Sequence, residues 1–87
     1  MTKTIWKTEL TPWSGAVMLP KGARPISVHM QDGTPMMWSI VDPAEEGEEL
    51  RIHIAGTGHD LPDGLGRFIG TFLVQAGTLV FHVFELT

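Results

Sequence analysis

An all-β domain, a compact antiparallel sandwich or small barrel of about seven strands, is what this sequence predicts. Three observations point there. Residues that suit a pleated surface come in short runs, each closed by a turn cluster such as Pro20-Lys21-Gly22, Asp32-Gly33 or Gln75-Ala76-Gly77. Two of those clusters are hairpin signals flanked by apolar runs. No stretch carries a helical period. The best helix formers, Ala44-Glu45-Glu46, are bracketed by Pro43 and Gly47.

The elements follow in order. Thr4–Leu10 alternates loosely, with Trp6, Thr8 and Leu10 on one side and Ile5, Lys7 and Glu9 on the other. Pro12 and Gly15 punctuate the chain around Trp13. Ala16–Leu19 is a short second strand. Pro25–Gln31 and Thr34–Asp42 form a hairpin on a type I′ Asp32-Gly33 turn, closed by Gln31 and Thr34. That register sets Met30 opposite Pro35, with the missing N–H of Pro35 pointing away from Met30, and it suggests an edge position for this end of the strand. Val28, Met30 and Met37 share one face; His29, Met36 and Trp38 share the other. Asp42–Glu49 reads as a solvated acidic loop. Glu49–Ala55 then turns Leu50, Ile52 and Ile54 inward and Arg51 and His53 outward. Gly56–Gly64 is the longest unpatterned loop.

Gly66–Leu86 closes the chain as a hairpin around Gln75-Ala76-Gly77, with Gly77 in the left-handed conformation of a G1 bulge. In this register Val74 faces Thr78, His82 faces Gly70, and Arg67 meets Glu85 at the open end. One face holds Phe68, Phe72, Val74, Val80 and Phe84. The other holds Ile69, Leu73, Leu79, Phe81 and Val83. Both are apolar and both need cover, which so short a chain has limited material to give. The expected core is Ile5 or Trp6 with Val28, Trp38, Ile40, Ile52, Ile54, Phe68, Phe72, Val80 and Phe84.

Composition bounds the function. Eighty-seven residues make one domain, taken as 1–87. Six Lys and Arg stand against ten Asp and Glu, a net charge of −4, which argues against general nucleic-acid binding. No apolar run reaches the length of a membrane helix, and MTKTIWKTEL lacks the apolar centre of a signal peptide. The absence of cysteine removes disulfides, thiolate nucleophiles and Cys-based metal sites, and fits a reducing cytoplasm. Three tryptophans and five methionines exceed what a lone small core needs, which favours a homodimer or a binding face.

Chemistry is sparse. His29, His53, His59 and His82 show no metal-ligand spacing, so no metal and no cofactor are expected. His82 reads as a core histidine bonded to backbone. Ser14, Ser27 and Ser39 stand in no nucleophile elbow, and no Ser-His-Asp set follows from spacing, so the chain is read as a non-enzyme. The strongest binding candidate is the loop Gly56, Thr57, Gly58, His59 and Asp60, with Arg51 and Trp38 as accessory residues. Its glycines would let backbone N–H groups approach a ligand. It is neither a P-loop nor a dinucleotide fingerprint.

KTIWK, GARPISVHMQDGTPMMWSIVDP, IAGTGHDLPD, FIGTF and LVFHVFE together resemble a family of short phage and prophage proteins that carry a domain of unknown function. The resemblance spans nearly the whole chain. It implies an accessory protein made in the cytoplasm of a bacterial host cell. Small proteins of that kind often act as stoichiometric binders of a host factor, defence systems included, and this sets the first expectation: a non-catalytic binder or inhibitor of a host protein. Two alternatives stand beside it. One is a sponge for a nucleotide or other small ligand at the Gly56–Gly64 loop. The other is a structural phage accessory protein that uses the apolar hairpin faces for assembly.

Overall fold

A computed structural model describes residues 2–10 and 15–87. The described residues form seven strands in two antiparallel sheets: β1 (Thr4–Glu9), β2 (Ala16–Pro20), β3 (Arg24–Gln31), β4 (Thr34–Val41), β5 (Gly47–Gly56), β6 (Leu65–Val74) and β7 (Leu79–Leu86). The first sheet runs β1-β4-β3 and the second β2-β5-β7-β6. They pack as a sandwich over Leu10, Leu19, Val28, Met37, Ile52, Ile69, Phe72 and Val83. The all-β expectation holds, with the sandwich in place of the barrel. Pro12, Trp13 and Ser14 lie outside the described residues.

The first hairpin follows from its turn. Asp32 and Gly33 have φ of 51° and 80°, as a type I′ turn demands, and the register joins Gln31 to Thr34 and Met30 to Pro35. Val28 and Met37 are buried; His29, Met36 and Trp38 take the outer face. The edge reading of Pro35 is corrected: β4 is the central strand of its sheet. The Leu10 N–H donates to the Pro35 carbonyl, so the nitrogen of Pro35 faces Leu10 just beyond the last residue of β1. Proline is tolerated there because β1 has ended, not because the strand is an edge. A bulge between Pro25 and Ser27 leaves Ile26 exposed.

The acidic run is a loop only in its first half. The Asp42 carboxylate caps the turn by accepting from the Ala44 N–H at 3.0 Å. From Gly47 the chain is already strand, with Glu48 and Glu49 opposite Leu19 and Met18 of β2 and their side chains in water.

The closing hairpin departs most from its predicted register. Its loop has four residues, Gln75–Thr78, so Val74 pairs with Leu79 rather than Thr78, and His82 with Thr71 rather than Gly70. Gln75, Ala76 and Gly77 all have positive φ. A bulge between Phe68 and Gly70 then absorbs one residue, which returns Arg67 to Glu85 as predicted. The slip redistributes the faces. Phe72 stacks on Phe81 at 5.6 Å and, with Ile69 and Val83, enters the core. Phe68 and Leu73, each 51% exposed, are left on the outside.

What crosses Gly70 is not His82 but β3. A Cβ on Gly70 would lie 2.9 Å from Val28 Cγ2 and 3.2 Å from the Val28 backbone nitrogen. The edges of the two sheets therefore meet at this point, and only glycine lets them approach so closely. The core expectation holds for Val28, Ile52 and Phe72. Trp38, Ile40, Ile54, Val80 and Phe84 are half-buried, while Ile5, Trp6 and Phe68 are exposed. Trp38 and Ile40 miss the core because they lie on the outer face of the three-stranded sheet. Trp6 pairs with Ser39 and Lys7 with Trp38, so Trp6 and Trp38 are on opposite faces and do not cluster.

Candidate functional site

The Gly56–Gly64 loop leaves the end of β5 where β5 lies beside β7. Ala55 pairs with His82 and Gly56 with Phe81, and the Thr57 N–H adds one more rung by donating to the Val80 carbonyl. The chain then turns tightly: the His59 N–H donates to the Gly56 carbonyl, and Gly58 takes a φ of 90°. The His59 imidazole folds back over Gly56, accepting at Nδ1 from the Gly56 N–H at 3.3 Å. A Cβ on Gly56 would meet the ring at 2.7 Å, so the glycine is what allows the histidine to lie there. His59 caps its own turn, and this fixes the donor nitrogen of its neutral ring as Nε2.

Behind this turn stands an arrangement the sequence reading missed. His82 bridges two threonines, with Nε2 2.9 Å from Thr57 Oγ1 and Nδ1 3.1 Å from Thr71 Oγ1. The expected backbone partner is replaced by hydroxyls from the loop and from β6. Each ring nitrogen is satisfied, and the three side chains tie loop, β7 and β6 together. No carboxylate orients the imidazole, so the set differs from a nucleophile–base–acid triad. Its signal in the sequence is the register itself: Thr71 reaches His82 only through the one-residue slip at the turn.

Two grooves flank the turn. One of about 370 Å³ is lined by Gly56, Thr57, His59 and the stretch Thr78–Phe81. A second of about 220 Å³ lies between the turn, Leu61, His82 and Phe84. The walls are mainly apolar, and neither groove is lined by Lys or Arg. Of the predicted site, Gly56, Thr57, Gly58 and His59 come together, with Asp60 exposed just beyond. Arg51 is exposed on the same outward-facing side of β5, four positions before Ala55. Trp38 does not join them. It lies on the outer face of the other sheet, its ring 4.3 Å from that of His29. Among the described residues no group of three His, Asp or Glu side chains is placed to hold a metal ion.

The outer face of the second sheet continues the apolar character of the grooves. Phe68 and Phe84 meet edge to face at 5.3 Å, Leu73 pairs with Val80, and Leu61 stands over the His82 end. Fold and surface define an antiparallel β-sandwich whose four-stranded sheet leaves two apolar pairs, Phe68 with Phe84 and Leu73 with Val80, on its outer face beside Thr71 and His82. The chain belongs to the family defined by a domain of unknown function, DUF7352, which matches residues 1–87. No curated protein and no solved structure matches it.

Proposed function

We propose that this chain is a non-catalytic binding protein that engages a partner protein through the outer face of the four-stranded sheet. The observation that carries the reading is the uncovered half of the closing hairpin. Phe68 and Leu73 are each half exposed beside Phe84 and Val80, and Leu61 is exposed nearby. Exposed apolar groups set among polar ones on one face, here two apolar pairs on either side of Thr71 and His82, are a usual mark of an interaction surface. The resemblance to phage and prophage proteins supplies the context: an accessory protein in a bacterial cell, with a host factor, such as a defence component, as its partner. The test is capture from a bacterial host lysate by the wild type and by Phe68→Asp and Leu73→Asp. A host protein retained near one-to-one by the wild type and lost by both variants supports the reading. Equal retention by all three removes this face from the proposal.

A second reading, a binder of a small ligand, is favoured by the two grooves beside Thr57–His59. Because no Lys or Arg lines them, they suit a largely uncharged, ring-bearing ligand better than a polyphosphate. A thermal-shift panel of nucleosides and nucleotides separates the two readings. This one requires a rise that His59→Ala abolishes.

A further inference from the structure

The outer edge of the first sheet carries a second, independent inference. Among the described residues, strand β1 pairs with β4 on one side only. Its residues are exposed, apart from half-buried Thr8, and it contains neither proline, glycine nor bulge. Which of its backbone groups are free follows from the Leu10 N–H bond to Pro35. Leu10 and Pro35 continue the β1–β4 register, so theirs is a hydrogen-bonded position. Positions alternate along an antiparallel ladder. Thr4, Trp6 and Thr8 therefore bond to β4, and the N–H and C=O of Ile5 and Lys7 point outward.

We infer that a second copy of this chain pairs with β1 about a two-fold axis, antiparallel, with Trp6 facing Trp6 of the second copy. Outward groups on Ile5 and Lys7 restrict the choice to registers that join odd positions to odd positions, and those that pair both residues within positions 3–9 centre on Ile5, Trp6 or Lys7. Centring on Ile5 sets Lys3 against Lys7 of the second copy. Centring on Lys7 sets the two Lys7 side chains against each other. Like charges directly opposite are destabilising, which disfavours both. Centring on Trp6 joins Ile5 to Lys7 of the second copy twice, each pair exchanging both backbone hydrogen bonds. It also places Lys3 across from Glu9, and Thr4 across from Thr8.

Lysine on an edge strand commonly blocks such pairing. Here the Lys7 ammonium is held 2.7 Å from Gln31 Oε1, two strands away across its own sheet, which draws the charge off the edge. The paired ring of Trp6 also has a largely apolar seat, with Glu45 on its rim. Trp6 is 41% exposed and Met18 67% exposed, and a cleft of about 180 Å³ lies between them against Leu19, Pro20 and Pro43. The result is one six-stranded sheet running β3-β4-β1 into the second copy's β1-β4-β3. This pairing is separate from the apolar face of the other sheet, so either proposal stands or falls without the other.

Sedimentation equilibrium tests it first: the wild type is expected to dimerise, and a monomer up to millimolar concentration overturns the inference. Lys7→Pro removes an outward N–H and leaves every β1–β4 bond in place, so it is expected to keep the wild-type circular dichroism and weaken association at least tenfold. A folded Lys7→Pro variant that still dimerises like the wild type overturns it. Cross-linking reads the register in an otherwise cysteine-free chain. Trp6→Cys is expected to form a covalent dimer under mild oxidant, as is an equal mixture of Ile5→Cys with Lys7→Cys. Thr8→Cys alone is expected to stay unlinked. Linking by Thr8→Cys in place of Trp6→Cys contradicts the assigned pairing.

Discussion

Arg67 and Glu85 meet at 3.0 Å at the open end of the closing hairpin, and the same guanidinium donates to the Pro25 carbonyl of β3. One side chain thus joins β7, β6 and the edge of the opposite sheet. The ion pair is partly solvated, its side chains 44% and 25% exposed, so by itself it contributes little, about 0–1 kcal/mol. The bond to a half-shielded carbonyl adds the larger part. Arg67→Ala is expected to lower stability by about 1–2 kcal/mol in urea unfolding, and Glu85→Gln by under about 1 kcal/mol. Equal losses would mean that the ion pair, not the carbonyl bond, is the fastener.

Phe72 and Phe68 lie on the same strand, four residues apart, with opposite fates. Phe72→Ala empties a fully buried site and is expected to cost about 3–5 kcal/mol, enough to unfold much of so small a domain at room temperature. Phe68→Ala, at an exposed position, is expected to cost less than about 1 kcal/mol. Thermal melts of the two variants measure the contrast directly.

That contrast marks the limit of what could be read from the residues alone. Asp32-Gly33 fixes a turn by local chemistry, so the first hairpin and its register near the turn were legible, whereas which face turns inward was not: Trp38 and Ile40 were expected in the core and lie outside it. Arg67 and Glu85 were legible as a charge pair. The bulge beside Ile69 has no local signature: it arises because β3 crosses at Gly70 and because Phe72 can stack on Phe81. A strand with apolar residues at Phe68, Ile69, Phe72, Leu73 and Val74 does not declare which of them faces in. The loop site was half legible. The glycines and His59 stood out, whereas the Thr57–His82–Thr71 bridge depends on three strands being in place. Trp38 attracted notice by residue type, and topology put it on the far side of the molecule.

Gly70→Ala tests the crossing. Its Cβ would press on both the side chain and the backbone nitrogen of Val28, and a loss of about 1–3 kcal/mol is expected. Adding Val28→Ala relieves the side-chain contact only. The double variant is therefore expected to lose less than the sum of the singles, while remaining below Val28→Ala alone. Strict additivity in a double-mutant cycle would show that the two strands do not touch there.

Ser39 is fully buried, and its hydroxyl has no hydrogen-bond partner among the described residues. Burying an unsatisfied hydroxyl is unfavourable, and alanine fits the same space. Ser39→Ala is expected to leave the melting temperature unchanged or raise it, by up to about 1 kcal/mol in stability. A clear loss would show that the hydroxyl is hydrogen-bonded in the folded protein.

The meeting of Val28 with Gly70 also sets an order of events in folding. The hairpins β3–β4 and β6–β7 close short loops, whereas every contact between β3 and β6 joins residues some forty positions apart. Short loops form first because closing them sacrifices less chain entropy. The two hairpins are therefore expected to close before they dock through β3 and β6, with β1, β2 and β5 completing the two sheets. Substitutions in the Asp32-Gly33 turn should slow folding. Substitutions at the Gly70 crossing should act chiefly by hastening unfolding.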